Sequence, residues 1–217
     1  MLVLGMDTSS PAVSAALVRV AAGAAQLVAE RVVVDARRHG ELLAQGVREV
    51  LRAGRPEALV VGTGPGPFTG LRVGLVTAAV MSDALGIPAY GVCSLDGLAD
   101  ERDVVVVTDA RRKEVYWARY VAGKRVEGPE VARPADLADR LRGLPRPVRL
   151  VGAGAVLHRD AFGGLALDVQ RLHPSIAVLV AGARDRLLGG APSDPLIPLY
   201  LRRPDAVEPG VTKRVTA

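Results

Sequence analysis

The chain has 217 residues, which is enough for one large domain or two small lobes with a packed core. Its single cysteine, Cys93, excludes an internal disulfide and a thiolate metal cluster. The net charge is +5, but the basic residues are scattered along the sequence and aromatic residues make up only 3%. The sequence therefore predicts no base-stacking surface for nucleic acid.

No segment is predicted to cross a membrane. A spanning helix needs roughly 20 apolar residues, and the best candidate, Leu71 to Leu85, is interrupted by Arg72 and Asp83. The first residues lack the basic flank of a signal peptide and include an acid, Asp7. We therefore expect a cytoplasmic protein.

Three strands are predicted to open the chain as an antiparallel meander, and helices then alternate with strands. The predicted strands are Met1–Thr8, Ala12–Val20, Leu27–Val34, Ala58–Thr63 and Tyr90–Cys93, and the predicted helices are Gly40–Ala53 and about Thr69 to Leu85. This order of elements is that of one lobe of the two-lobed actin-like, sugar-kinase-like ATPase fold. The predicted fold class is therefore α/β, with two ribonuclease H-like lobes.

A second set of elements begins near Asp103, so we predict an N-terminal lobe of residues 1–102 and a C-terminal lobe of residues 103–217. The predicted elements are strands over Val104–Thr108, Glu114–Val121 and Val148–Val151, and helices over Pro134–Leu141 and Ile176–Leu188. The segment Pro192–Pro209 is rich in proline and is predicted to be an extended tail on the surface.

Asp7, Thr8 and Ser9 follow the first predicted strand, and they are candidates for a phosphate site. In actin-like ATPases an acid and hydroxyls at this place hold metal-bound phosphate, because a carboxylate orients the water shell of the cation and hydroxyls donate to phosphate oxygens. The alternative is a polar turn that satisfies its own backbone.

A second candidate phosphate loop runs from Gly64 to Gly70 and joins a buried strand to a helix. Gly64 and Gly66 permit positive φ angles, and Thr69 is predicted to cap the helix, whose free N–H groups would face a ligand. The loop lacks the Lys-Ser/Thr ending of a P-loop, and a rigid turn is the alternative.

The helix that follows is apolar nearly all round, which predicts burial nearly all round. Gly70, Gly74 and Ala78 recur every four residues and form a smooth stripe that another backbone can approach. We predict that one face of this helix packs on its own sheet and that the other meets a partner chain, the alternative being a wholly internal pair with the helix 40–53. The predicted interface residues are Leu43, Val47, Val50, Gly70, Leu71, Gly74, Leu75 and Ala78.

Several motifs, in order over almost the whole chain, identify the sequence as resembling the TsaB (YeaZ) family. They are Asp7-Thr8-Ser9, His39-Gly-Glu-Leu-Leu43, Gly64-Pro-Gly-Pro-Phe-Thr-Gly-Leu-Arg-Val-Gly74, Gly86-Ile-Pro88, Ser94-Leu95, Asp109-Ala-Arg-Arg-Lys-Glu-Val-Tyr116 and Pro198-Leu-Tyr-Leu-Arg202. The loop of the family usually has Ser where this chain has Pro67. That change removes a hydroxyl and an N–H, which makes the loop a vestigial phosphate site.

The resemblance implies a non-catalytic chain. The related TsaD proteins carry His-x-x-x-His after the strand that follows the Gly/Pro-loop helix, and two His one helical turn apart can share a cation. Ser94 and Leu98 stand at those positions here. The resemblance therefore implies no metal and no cofactor on the isolated chain.

The function implied by the resemblance is support of TsaD in forming N6-threonylcarbamoyladenosine at position 37 of tRNAs that read codons beginning with A. The implied partners are TsaD, which forms a heterodimer with this chain, and TsaE, and the complex uses ATP. The resemblance also implies self-association as a homodimer, and contact with tRNA only indirectly through the complex. The alternatives are a metallopeptidase-like enzyme, a stand-alone ATPase or kinase of the same fold, and a direct tRNA-binding module.

Overall fold

The computed structural model describes residues 1–144 and 148–202, and over these residues the chain forms two five-stranded sheets. The strands of the first sheet are β1 (Leu2–Asp7), β2 (Ala12–Ala21), β3 (Ala24–Val34), β4 (Ala58–Gly62) and β5 (Ala89–Val92). Those of the second are β6 (Val104–Asp109), β7 (Val115–Val121), β8 (Lys124–Ala132), β9 (Arg149–Val151) and β10 (Ala166–Asp168).

The two sheets share one topology. The first has the order β3-β2-β1-β4-β5 and the second β8-β7-β6-β9-β10. In each sheet the three antiparallel strands are followed by two parallel ones, reached through helical crossovers. This arrangement confirms the predicted two-lobed α/β architecture of the actin-like ATPase fold.

The helices cover the faces of the two sheets. They are α1 (His39–Val50), α2 (Phe68–Leu85), α3 (Pro134–Arg142), α4 (Ala153–Leu157), α5 (Ile176–Gly182) and α6 (Arg184–Leu188), with 3-10 turns at Leu51–Ala53 and Ser94–Leu98. Helices α1 and α2 cover one face of the first sheet. Helices α3 and α4 cover the outer face of the second sheet, and the 3-10 turn at Ser94–Leu98 packs on its inner face.

The division at residues 102 and 103 does not hold for the C-terminal part of the chain. Ile176, Leu179 and Val180 of α5 are fully or almost fully buried against the second face of the first sheet. The chain therefore returns to the first lobe after β10, because that sheet has two apolar faces and α1 and α2 cover only one. The single helix predicted over 176–188 is divided into α5 and α6 at Ala183.

Residues 191–202, here called the C-terminal strap, tie the two lobes together without forming a helix or strand. Along the first lobe, the Asp194 amide donates to the Ala89 carbonyl at 3.0 Å and the Leu199 amide to the Thr63 carbonyl at 2.8 Å. At the second lobe, the Arg202 guanidinium donates to the Ala110 carbonyl at 2.8 Å. The rest of the predicted tail, residues 203–209, lies outside the described residues.

By length and composition, the 18-residue helix α2 would be able to cross a membrane, so the prediction that no segment is long enough was wrong. The fold gives this helix another role, since Leu71, Leu75 and Ala78 pack on the first sheet. Only 28% of its residues are buried, however, so an apolar face remains exposed.

Candidate functional site

The carboxylate of Asp7 is enclosed at the end of β1 and accepts hydrogen bonds from two serines, Ser9 and Ser94. Its Oδ1 accepts from the Ser9 amide at 3.0 Å and from the Ser9 hydroxyl at 2.7 Å, and its Oδ2 accepts from the Ser94 hydroxyl at 2.5 Å. The Ser94 hydroxyl in turn accepts from the Gly64 amide at 3.0 Å. A single network therefore joins β1, the Gly/Pro loop and the 3-10 turn after β5.

This network does not fit a cation. Both oxygens of Asp7 already accept hydrogen bonds, and Leu98, which has no donor atom, is buried. Among the described residues, no group of three His, Cys, Asp or Glu side chains is placed to hold a metal ion. The hydrogen bonds from Ser9 and Ser94 hold the Asp7 carboxylate at the end of β1.

Asp7 and its isosteric amide are expected to differ in stability in a pH-dependent way. Burial raises the pKa of Asp7 above its ordinary value of 3.8, although the bonds from Ser94 and Ser9 act in the opposite direction. Between the unfolded and the folded pKa, the folded chain binds the proton more tightly, so stability falls as the pH rises. The stability of Asp7→Asn relative to the parent, measured by thermal unfolding, should therefore increase as the pH rises above about 4.

Asp35→Asn is the control with the opposite sign. Hydrogen bonds from the Arg37 amide and the Arg38 side chain hold the pKa of the partly exposed Asp35 below its ordinary value. The carboxylate stabilises the folded chain above its unfolded pKa, and this stabilisation is lost on acidification. The stability of the parent relative to Asp35→Asn should therefore increase as the pH rises. A stability difference between Asp7→Asn and the parent that is constant with pH, or that changes in the same direction as for Asp35→Asn, would contradict a raised pKa of Asp7.

The hydroxyl of Thr8 bonds to two backbone groups that are one turn apart in α2. It donates to the Gly70 carbonyl at 2.7 Å and accepts from the Gly74 amide at 3.1 Å. A Cβ at Gly70 would lie 2.6 Å from the Thr8 carbonyl oxygen, and one at Gly74 2.6 Å from the Thr8 hydroxyl. Gly70 and Gly74 therefore leave room for the end of β1 to lie against α2.

The predicted interface residues are therefore corrected. All eight are buried within the chain itself: Leu43, Val47, Val50, Gly70, Leu71, Gly74, Leu75 and Ala78. The side chains of the six that are not glycine belong to the core cluster that packs α1 and α2 onto the first sheet. A partner cannot contact them without unfolding this lobe, so any interface on these helices must use the opposite face.

The Gly/Pro loop forms a turn whose backbone lies against Ser9. Gly64 has φ of +97°, whereas Gly66 is required for a different reason, since a Cβ there would collide with the Ser9 backbone. Thr69 does not cap α2: the helix begins at Phe68, its N-cap is Pro67, and no side-chain cap bond is present. The predicted cap at Thr69 is therefore wrong, because the helix begins one residue earlier and the proline at its N-cap has no hydroxyl to donate or accept a bond.

The exposed face of α2 is an apolar ridge with an aromatic end. Its helical residues lie on one face of α2, with Arg72 between the first two: Phe68 is 45% exposed, Val76 59% and Val80 62%. Tyr200 of the C-terminal strap, 40% exposed, stacks on Phe68 with ring centroids 5.1 Å apart, and the Arg72 guanidinium lies 4.2 Å from the centre of the Phe68 ring. We call Phe68, Val76, Val80 and Tyr200 the α2 ridge.

Sequence reasoning predicted a partner-facing side of this helix but did not assign Phe68, Val76, Val80 or Tyr200 to it. The neighbouring helix α1 turns polar residues outward, with Glu41, Gln45 and Arg48 exposed. The α2 ridge is thus an exposed apolar surface beside a polar helix, and Arg72 lies among its residues. Contiguous exposed apolar surface with a polar rim is characteristic of protein–protein interfaces.

A cleft of ≈ 330 Å³ separates the two lobes beside the Asp7 network. Its first-lobe wall includes Ser9, Ser10 and Pro11, and its second-lobe wall includes Thr108, Asp109 and Arg111. The Thr108 hydroxyl oxygen is buried and has no hydrogen-bond partner among the described residues. The lining is mainly apolar, with Pro67, Leu157 and Leu172 contributing.

The fold and this site define the class: a two-lobed α/β protein of the actin-like ATPase fold in which the carboxylate at the end of the first strand accepts hydrogen bonds from serine hydroxyls. Residues 31–189 match the model of the TsaD family, described as tRNA N6-adenosine threonylcarbamoyltransferase. The chain belongs to the TsaB (YeaZ) family.

Individual relatives agree with this placement. TsaB of Bacillus subtilis, a tRNA threonylcarbamoyladenosine biosynthesis protein, is 30% identical over 74% of this chain and 74% of its own length. An uncharacterized protein of Mycobacterium tuberculosis is 46% identical over 94% of this chain and 93% of its own length. The structure of YeaZ from Pseudomonas aeruginosa superposes with a TM-score of 0.74 at 26% identity, covering 92% of this chain and 100% of that one.

Proposed function

We propose that this chain is a non-catalytic subunit that binds and supports a TsaD-type enzyme in the formation of N6-threonylcarbamoyladenosine at position 37 of tRNAs reading codons beginning with A. The observation that carries the proposal is the α2 ridge, an exposed apolar surface on a helix whose other face is fully packed. The names of the family model and of the Bacillus subtilis relative support the pathway.

The proposed occupant of the α2 ridge is the TsaD-type subunit. Val76 and Val80 supply aliphatic surface, while Phe68 and Tyr200 supply a preformed aromatic anchor of the kind that carries binding energy in interfaces. A second copy of this chain would compete for the same surface, so the homodimer and the heterodimer are mutually exclusive in this proposal. A TsaE-type protein and ATP join the complex, and the isolated chain uses no cofactor.

The non-catalytic assignment rests on the Asp7 network. A metallopeptidase or a metal-dependent ATPase of this fold requires a carboxylate that is free to orient a cation. Asp7 is enclosed, and Ser9 and Ser94 donate to both of its oxygens. The TsaD-type partner would therefore supply the chemistry, and this chain would supply the surface that holds it.

Reconstitution tests the proposal directly. The TsaD-type and TsaE-type proteins of the same organism are incubated with ATP, a threonylcarbamoyl donor and an unmodified tRNA, with and without this chain, and the modified nucleoside is measured. We expect formation of the nucleoside to depend on this chain. Equal formation without it, or metal-dependent turnover of ATP or peptide by the lone chain, would refute the proposal.

A further inference from the structure

Helix α2 carries two charged residues, and both lie on its exposed face. Its sequence contains one basic residue, Arg72, and one acidic residue, Asp83. Both are exposed, and neither forms a salt bridge with a residue in the described part of the chain. Arg72 instead lies over the Phe68 ring, a contact that leaves the N–H edge of the guanidinium available to a carboxylate. The helix therefore presents one cation and one anion to whatever covers it.

The two charges stand at the ends of one short stripe of exposed residues. Arg72, Val76, Ala79 and Asp83, here called the α2 stripe, are exposed and follow one another at intervals of four, three and four residues. At 3.6 residues per turn, these intervals keep all four residues on one side of the helix. The two charges are eleven positions apart (83 − 72 = 11), which is about 16 Å along the helix axis. They are therefore too far apart to pair with each other within one chain.

The α2 stripe is complementary to a second α2 stripe that runs in the opposite direction. Arg72 and Asp83 are equally distant from the midpoint between Val76 and Ala79. A two-fold axis through that midpoint therefore places Arg72 of each copy opposite Asp83 of the other, with valine against alanine between them. A parallel pair in register would instead oppose arginine to arginine and aspartate to aspartate. The order of the charges thus favours the antiparallel arrangement.

We propose that a second copy of this chain docks on α2 in this antiparallel register, with the Arg72 guanidinium of each copy bound to the Asp83 carboxylate of the other. A charge that is covered by an interface without a partner is strongly disfavoured, and this register gives each of the four charges a partner. Ala79 lets the two helices approach closely, and Val76 supplies apolar surface beside the axis. The inference rests on the proposed function, in which a second copy competes with the TsaD-type subunit for the α2 ridge. The homodimer would then keep the ridge covered until that subunit replaces it.

Charge reversals in the full chain test the proposed register. The variants are Arg72→Glu, Asp83→Arg and the double variant Arg72→Glu/Asp83→Arg. The matched controls are Arg149→Glu and Glu101→Arg, which make the same two reversals at exposed residues outside α2. Sedimentation equilibrium over a range of concentrations measures the association of each protein alone, of the two single variants mixed 1:1, and of the two controls mixed 1:1. Thermal unfolding of each variant checks that it is folded.

We expect the parent chain to dimerise and each single variant to dimerise at least about 30-fold more weakly, because like charges then face each other twice in every dimer. The double variant restores two opposite-charge pairs and should dimerise within about threefold of the parent. The 1:1 mixture of the single variants should also associate. In that mixture the new glutamate of one variant faces the new arginine of the other, and the unchanged Asp83 faces the unchanged Arg72. Each control should dimerise like the parent, and mixing the controls should add nothing.

Three results would each overturn the proposed register: a parent chain that stays monomeric, a double variant that dimerises as weakly as the single variants, or single variants that do not associate when mixed. Binding of the TsaD-type partner, measured on the same proteins, separates this inference from the proposed function. A monomeric parent that binds the partner contradicts the register alone. A parent that dimerises as described but does not bind the partner contradicts the proposed function alone.

Discussion

Val76→Arg is expected to weaken binding of the TsaD-type partner by at least about 30-fold, equivalent to about 2 kcal/mol at 25 °C. Val76 is 59% exposed at the centre of the α2 ridge, so an arginine fits the isolated chain but would bury an unpaired charge in the complex. The stability of the isolated chain should change by no more than about 0.5 kcal/mol. Titration calorimetry with the partner and thermal unfolding of the chain alone provide the two measurements.

Val126→Arg is the matched control for this substitution. Val126 is 56% exposed on β8, in the other lobe. Val126→Arg therefore makes the same valine-to-arginine change at a similar exposure but away from α2. It should leave partner binding within a factor of two. If Val76→Arg and Val126→Arg bound the partner equally well, the α2 ridge would not be the interface. Val76→Arg should also shift any homodimer of the chain to monomer.

Gly62→Ala is expected to lower the free energy of unfolding by about 3 kcal/mol or more, because it combines overpacking with broken buried hydrogen bonds. A Cβ at Gly62 would overlap the Asp7 carboxylate and lie 2.5 Å from the Ser94 hydroxyl oxygen. Both partners are fixed by further bonds, so neither can move without disrupting the network. For a chain of this size the thermal midpoint should fall by about 6–12 °C.

Gly40→Ala is the corresponding control. Gly40 lies in the first turn of α1, and a Cβ there meets nothing within 4 Å. The same chemical change should therefore raise stability slightly, by about 0.5–1 kcal/mol, since alanine favours helix more than glycine does. Equal midpoints for Gly62→Ala and the parent would show that the end of β1 is far looser than the Asp7–Ser94 geometry indicates.

The element order and the fold class followed from the sequence because they depend on local signals. Alternating Val-rich runs, the Gly/Pro loop, and Gly86 and Pro88 after α2 gave strands and helix ends close to those observed. The strand Lys124–Ala132 was missed because its charged and proline residues conceal the alternation of an edge strand. The return of α5 to the first lobe depends on contacts far apart in sequence, which no local pattern carries.

The orientation of α2 was the main error at the candidate site, and it has a physical explanation. A helix that is apolar nearly all round gives no hydrophobic contrast to tell its core face from its outer face. Gly70 and Gly74 were assigned to a partner because small residues permit close approach, but the approaching group is Thr8 of the same chain. Likewise, Ser94 was identified only as a missing ligand, whereas it is the hydrogen-bond donor that encloses Asp7.

The C-terminal strap has a consequence for the mechanics of the molecule. Two-lobed proteins commonly hinge about the segments that join their lobes. Here Leu199 is bonded to Thr63 on one side of the hinge and Arg202 to Ala110 on the other, so rotation of the lobes would have to break this brace. If the proposed TsaD-type subunit binds the first lobe, these bonds would also hold the second lobe in a fixed orientation relative to that subunit.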